Sequence, residues 1–293
     1  MRLHLRGSVL EIERGRPLVM GIVNATPDSF SDVPGAKDIG ILVERAHAMA
    51  AAGAAIVDVG GQSGRTDAEA ISPEEETARV VPLVERLAAD GLAVSVDTWR
   101  ADPARAALEA GAVMVNDVSG LSNPALADLC ASAGAALVVT HTRAAPKTKE
   151  FPAYGDVVAD VLDELRESTA LAAGRGVPEE GLLLDPGLDL AKTPAQSVEL
   201  LRRLGELDVL GRPLLLAVSR KDFVGALTGR APAERYAGTL AALEPALDVP
   251  GAVVRVHDVA GTVDFLRVRS ALRAEVEPPP GPLAESLRRE VAA

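Results

Sequence analysis

Eight short apolar runs punctuate the chain, at residues 17–24, 55–61, 93–98, 113–120, 135–142, 182–187, 213–220 and 253–259. Each is dense in Val, Ile, Leu and Ala and lacks the polar alternation of a sheet with one wet face. That pattern suits a strand covered on both sides. Between them lie stretches such as ILVERAHAMAAAG, ADPARAALEAG and DVVADVLDELRESTALAAGRG, whose apolar residues return with helical spacing. Several close on Gly just before the next run, where a helix ends. Strand and helix alternating eight times predict an α/β fold with a parallel sheet closed into a (β/α)8 barrel. The opening LHLRGSVLEIE alternates well enough to predict a short N-terminal hairpin closing the barrel's bottom. A doubly wound open sheet is the alternative, but it expects a Gly-rich phosphate loop after the first strand. Here that strand runs into NATPDSFSD.

No composition break divides the chain, so residues 1–275 read as one barrel domain and 276–293, with its EPPPGP stretch, as a Pro-rich tail. Of the 293 residues 48% are hydrophobic but only 2% aromatic, so the core must be built from Ala, Val and Leu. A net charge of −12 argues against nucleic acid or an anionic membrane as the main partner, because both call for a basic surface, and leaves an anionic small ligand open. The single cysteine, Cys130, excludes an internal disulfide and reads as buried packing. With no signal-peptide pattern and no run of membrane-spanning length, the expected location is the cytoplasm.

The chemistry gathers at the C-terminal ends of the runs. The first ends in Asn24, with Asp28, Ser29 and Phe30 beyond, and the second in Gln62, Ser63 and Arg65. Then come Asp97, Asn116 with Asp117, His141, Asp185, Ser219 with Arg220 and Lys221, and Arg255 with His257. Each alone has a structural reading, as a helix cap, a turn former or, for His141, a satisfied core histidine. All eight ends carrying polar groups is the signature of a barrel active site. Asp97, Asn116 and Asp185 offer acceptors and one amide, suited to a flat heterocycle with N–H donors. Arg65, Arg255, His257 and Asn24 suit an anion at the rim, and Lys221 serves either group. The histidines lack metal-cage spacing, which leaves Mg2+ held mainly by a ligand diphosphate, with Asn24 as one ligand.

The stretches MGIVNATPDSFSD, IVDVGGQSGR, VSVDT, NDVSG, LDPG followed by KT, SRKDFVG and RVHDV, in this order, resemble the dihydropteroate synthase family from residue 17 to about 260. The resemblance implies a homodimeric cytoplasmic transferase of folate biosynthesis. It joins 4-aminobenzoate to 6-hydroxymethyl-7,8-dihydropterin diphosphate with Mg2+, giving 7,8-dihydropteroate and diphosphate. Carried over by motif, Asp97, Asn116, Asp185 and Lys221 hold the pterin, with Asp97, Lys221 and Asp185 catalytic. Arg65, Arg255 and His257 hold the diphosphate, and Asn24 the Mg2+. Phe30, Thr66, Leu190 and Ser219 line the second-substrate pocket. The implied mechanism is SN1-like: diphosphate leaves, carboxylates stabilise the pterin cation, and the amine attacks.

Departures from the family pattern cluster in the second-substrate half. Gln62, Gly64 and Thr66 replace Glu, Thr and Pro; Asp189-Leu190-Ala191 replaces Gly-Phe-Gly; Thr140 and Thr142 flank His141 where Met is usual; Asp222 replaces Ser. Losing the Phe removes an aromatic face worth about 1 kcal/mol beyond its buried area. Asp189 and Asp222, if near an incoming carboxylate, would repel it. The second reading is therefore a paralogue that binds a pterin or related ligand with aminobenzoate condensation lost or changed. Pterin-binding methyltransferases and a ligand-free scaffold are further readings; the Arg-His-Asp ending and SRK belong with diphosphate release rather than with the first, and the second leaves the strand ends unexplained.

Overall fold

The structure, a computed structural model, describes residues 1–26, 39–62, 69–282 and residue 287. A hairpin of β1 (Arg2–Leu5) and β2 (Ser8–Glu11) precedes the barrel. The barrel strands are β3 (Leu18–Asn24), β4 (Ile56–Gly60), β5 (Val94–Asp97), β6 (Met114–Asp117), β7 (Ala136–Thr140), β8 (Leu182–Asp185), β9 (Leu214–Leu216) and β10 (Ala252–Val256). All eight are parallel, and β10 closes on β3 with Val253 opposite Leu18. Seven of the eight apolar runs contain their strand whole, and β10 begins one residue ahead of its run, at Ala252. Apart from β3, which reaches the end of its run at Asn24, each strand stops short of its run's polar end, which turns into loop.

Among the described residues the helices are α1 (Ile39–Ala52), α2 (Pro73–Ala89), α3 (Ala101–Glu109), α4 (Ala125–Ala133), α5 (Val157–Gly174) and α6 (Pro194–Arg202). α7 (Asp222–Thr228) and α8 (Tyr236–Ala242) share one crossover, and α9 (Val259–Leu272) ends the barrel. Local sequence sets their limits. The Ser72 hydroxyl accepts the Glu75 N–H at the start of α2, whose first turn holds Pro73 and three Glu. Thr193 and Gln196 form a reciprocal capping box on α6. α3 is followed by Gly111 at φ +110°, a turn open to glycine.

Side-chain parity divides the core in two. Val57 and Val59 on β4, and Val115 on β6, face outward and pack with helix residues such as Leu83 and Leu108. Met20, Ile56, Met114, Leu183 and Val253 face inward and meet Leu3, Leu5 and Ile12 of the N-terminal segment. The hairpin therefore plugs the bottom of the barrel, as its alternation predicts. Cys130 is buried in the outer core, and burial pushes its thiol up to about 12.

Candidate active site

A strand repeats its facing every second residue. The residues two places beyond inward Ile56, Met114, Leu183 and Val253 are Asp58, Asn116, Asp185 and Arg255. Asp97 has the same parity as Ala93, which packs on that inner cluster. The bottom plug thus dictates which polar side chains enter the open end.

Arg255 is the bridge among them. Its Nε donates to Asp58 Oδ2 at 2.6 Å and its Nη2 to Asp97 Oδ2 at 2.5 Å. Asn116 Nδ2 donates to the same Asp58 oxygen at 3.0 Å. Burial pushes Asp97 up to about 7, against the pull of Arg255, with Asp58 and Glu76 adding repulsion. Burial also raises Asp185, whose Oδ1 accepts the Gly187 N–H at 2.7 Å. Lys221 lies electrostatically close to both Asp97 and Asp185, and its Nζ donates to the Leu188 carbonyl at 3.0 Å. Asp58 Oδ1 and Asn116 Oδ1 are buried acceptors with no partner among the described residues. Unmatched buried acceptors are costly unless a ligand brings donors. The pocket is therefore complementary to a flat ring rich in N–H groups.

At the rim, Ser219 Oγ lies 2.8 Å from His257 Nδ1 and accepts the His257 backbone N–H at 3.2 Å. The hydroxyl then donates to Nδ1, leaving the imidazole neutral with its proton on Nε2. Burial, with Arg220 and Arg255 nearby, holds His257 down to about 3. In this state it offers an anion a hydrogen bond from Nε2. Asn24 ends β3 beside β4: a Cβ on Gly60 would stand 3.5 Å from Asn24 Oδ1 and 3.7 Å from Asp97 Cβ. The amide oxygen thus sits over the same mouth as Asp97. A single hard oxygen donor fits a Mg2+ whose other ligands come from a diphosphate and water.

The β8–α6 loop carries its own network. Lys192, 1% exposed, donates to His141 Nδ1 (2.7 Å), Gly187 O (2.9 Å) and Leu190 O (3.1 Å). His141 Nε2 meets Asp160 Oδ1 at 3.0 Å and Glu164 Oε2 at 3.2 Å. Those three ligand atoms are close enough for a metal, but with Lys192 donating to Nδ1 a neutral ring turns its Nε2–H toward the two carboxylates, and Arg143 pairs with Asp160. His141 is the satisfied core histidine that the sequence suggests. Asp189 Oδ2 accepts the backbone N–H groups of Asp222 and Phe223, and Oδ1 accepts from Ser197 Oγ at 3.1 Å. Asp222 pairs outward with Arg235 at 3.0 Å. The expected repulsion of a second-substrate carboxylate thus finds Asp189 occupied as the cap of α7 and Asp222 turned away.

The structure brings Asp97, Asn116, Asp185, Lys221 and Arg255 together and seats Asn24, Ser219 and His257 at the same end. Arg255, expected with the rim anion group, lies among the carboxylates. Ser219, expected against the second substrate, holds His257. Leu190 is half-buried in the β8–α6 loop. Phe30, Arg65 and Thr66 lie outside the described residues. Two functional candidates escaped the strand-end reading: Asp58, mid-strand and turned inward by its parity, and Lys192, quoted in the KT motif but given no role there. Asp117 is structural, its carboxylate taking the Ser119 and Leu121 N–H groups.

The profile of the pterin binding enzyme family matches residues 20–257. The chain is 45% identical to a dihydropteroate synthase of Mycobacterium leprae, over 86% of this chain and 92% of that one. It is 43% identical to a probable bifunctional folylpolyglutamate synthase/dihydropteroate synthase of Haloferax volcanii, over 87% of this chain, spanning only 30% of that longer protein. The Xanthomonas albilineans dihydropteroate synthase solved with 4-aminobenzoic acid superposes with a TM-score of 0.86 at 42% identity, covering 93% of this chain and 98% of that one. With the inward carboxylates, the barrel and these matches in agreement, the chain belongs to the dihydropteroate synthase family of pterin-binding enzymes.

Proposed function

We infer that this chain catalyses dihydropteroate synthesis: 6-hydroxymethyl-7,8-dihydropterin diphosphate and 4-aminobenzoate combine to give 7,8-dihydropteroate and diphosphate. One observation carries the reading. Asp58, Asp97, Asn116, Asp185, Lys221 and Arg255 converge in one mouth, with two buried acceptors left for a donor-rich ring. Relatives of the same family are dihydropteroate synthases, one solved with 4-aminobenzoic acid and another with 7,8-dihydropteroate.

In this reading the C–O bond to diphosphate breaks, the C–N bond forms, and the nitrogen loses one proton. Asp97, Asn116 and Asp185 orient the pterin, and the carboxylates face the positive charge that grows on it as diphosphate leaves. Fixed charges aimed at developing charge are the largest catalytic term available to such a site. His257 Nε2–H and Arg65 take the diphosphate oxygens, and Asn24 is the protein ligand of Mg2+. The ion, when bound, offsets the charge of the leaving group. Phe30, Thr66 and Leu190 wall the second substrate, and Lys221, tethered to Leu188, spans the two halves.

The same reading extends to a cytoplasmic homodimer. Leu227 of α7 and Val268 and Leu272 of α9 are 61–81% exposed, apolar surface that a second copy would cover. No described helix is long and apolar enough to cross a membrane. Calorimetric titration with 6-hydroxymethyl-7,8-dihydropterin tests the core of the assignment. Binding that Asp185→Asn abolishes supports it, and no binding by the wild type overturns it.

A further inference from the structure

We propose that Lys192 and His141 act as a positioning pair, a buried clamp beneath the pterin site that holds Asp185 and Lys221 in place through the loop between them. The proposal rests on the pterin reading of that site.

The β8–α6 loop is held in a backbone shape that few residues adopt unaided. Gly187 has φ +68°, Asp189 +61° and Ala191 +52°, so two non-glycine residues stand in the left-handed region within three positions. Such conformations persist where the surroundings over-determine them, and they gather at functional sites. The loop needs its shape because it serves the site with main-chain groups. The Gly187 N–H fixes Asp185 Oδ1, and the Leu188 carbonyl receives Lys221 Nζ. Neither contact survives if the loop relaxes.

Lys192 supplies the missing constraint. An ammonium has three N–H donors, and three short acceptors surround it: Gly187 O, Leu190 O and His141 Nδ1. The first two span the strained segment, and the third lies just past the end of the neighbouring strand β7. The His141 carbonyl, 3.4 Å from Nζ, marks how closely the two chains approach. A Cβ on Gly187 would come within 1.9 Å of that carbonyl oxygen. Tyr154 adds a further tie, its hydroxyl donating to Ala191 O at 3.0 Å.

His141 accepts from Lys192 only if Nδ1 keeps its lone pair, which requires the proton on Nε2. Asp160 and Glu164, both on α5, select that tautomer by accepting from Nε2. The clamp therefore runs from α5 through His141 and Lys192 into the loop, and from the loop into Asp185 and Lys221. Neither Lys192 nor His141 needs to touch the substrate. The role assigned is positioning.

The test compares His141→Asn, whose amide oxygen replaces the Nδ1 acceptor, with His141→Leu, which fills the space but accepts nothing, and with Lys192→Met. Each chain is checked by circular dichroism and thermal melting, then titrated with 6-hydroxymethyl-7,8-dihydropterin and assayed for kcat and KM. The clamp predicts a dissociation constant and a pterin-diphosphate KM raised about tenfold or more in Lys192→Met and His141→Leu, as expected for one lost hydrogen bond at a buried group. His141→Asn stays within about threefold of wild type. Folded Leu and Met variants with wild-type affinity overturn the proposal, as does an Asn variant no better than Leu. Nitrogen-15 NMR of wild-type His141 needs no variant to fold: the Nε2–H tautomer supports the clamp, and Nδ1–H overturns it. Absent pterin binding in the wild type would instead count against the functional assignment, leaving the tautomer result standing on its own.

Discussion

Arg255 Nη2 and Asp97 Oδ2 lie 2.5 Å apart across the barrel mouth, and the same guanidinium holds Asp58 Oδ2 at 2.6 Å through Nε. One cation thus lets two carboxylates share a small, poorly hydrated space. It also fixes their orientation, because a planar fork contacts two acceptors at set angles. A lysine ammonium has the charge without the fork. Arg255→Lys is expected to weaken dihydropterin binding about tenfold or more, the equivalent of about 1.4 kcal/mol. Calorimetric titration measures it, and unchanged affinity would show that the bridge is dispensable.

Asp97 gives a pH signature. Its folded-state pKa is raised from 3.8 to about 7, chiefly by burial. Below pH 4 folded and unfolded chains both hold the proton, so the group is neutral to stability. Between about 4 and 7 the folded chain keeps a proton that the unfolded chain releases. Wild-type stability therefore falls as pH rises, by up to about 1.4 kcal/mol per unit. Asp97→Asn removes this dependence. Its stability relative to wild type should climb from pH 4 to 7 and level off above, while pterin binding is lost. Denaturant unfolding at pH 4, 5.5 and 8 checks the trend, and a stability difference from wild type that does not shift in the variant's favour between pH 4 and 8 contradicts it.

How far the sequence revealed this site depends on where each residue stands. The barrel was legible because its strands are buried on both faces and read as unbroken Val, Leu and Ala runs. Asp97, Asn116 and Asp185 were legible because a strand end is where barrel chemistry collects. Asp58 hid in the middle of a run, and only the inner cluster at Ile56 discloses its direction. Lys192 hid because its burial is decided by His141, 51 residues earlier. Asp189's partners were hidden for the same reason: its carboxylate accepts backbone N–H groups of α7, 33 residues away, which no local pattern announces.

Gly187 is the loop position with the least freedom. A methyl there would strike the His141 carbonyl at 1.9 Å, on a backbone already at φ +68°. Backbone cannot move aside as a side chain can. Gly187→Ala is expected to destabilise the fold by about 3 kcal/mol or more. Urea unfolding reads the difference, and a loss under about 1 kcal/mol would mean that the loop tolerates another path.

Asp189 separates capping from repulsion. As the cap of α7, its loss in Asp189→Ala should cost about 1 kcal/mol of stability. The KM for 4-aminobenzoate should not fall, since the carboxylate is engaged with Asp222, Phe223 and Ser197. Thermal melting and steady-state kinetics give the two numbers. A markedly lower aminobenzoate KM would show that the charge does face the second substrate.

The central claim is that a donor-hungry mouth and a remodelled second-substrate wall still make one product. Purified protein mixed with 6-hydroxymethyl-7,8-dihydropterin diphosphate, 4-aminobenzoate and Mg2+ puts it to the test, with dihydropteroate and diphosphate both quantified. The predicted result is equimolar release of the two, abolished by Asp97→Asn. Tight pterin binding with no dihydropteroate formed would contradict the assignment and identify the chain as a pterin binder that has lost the condensation.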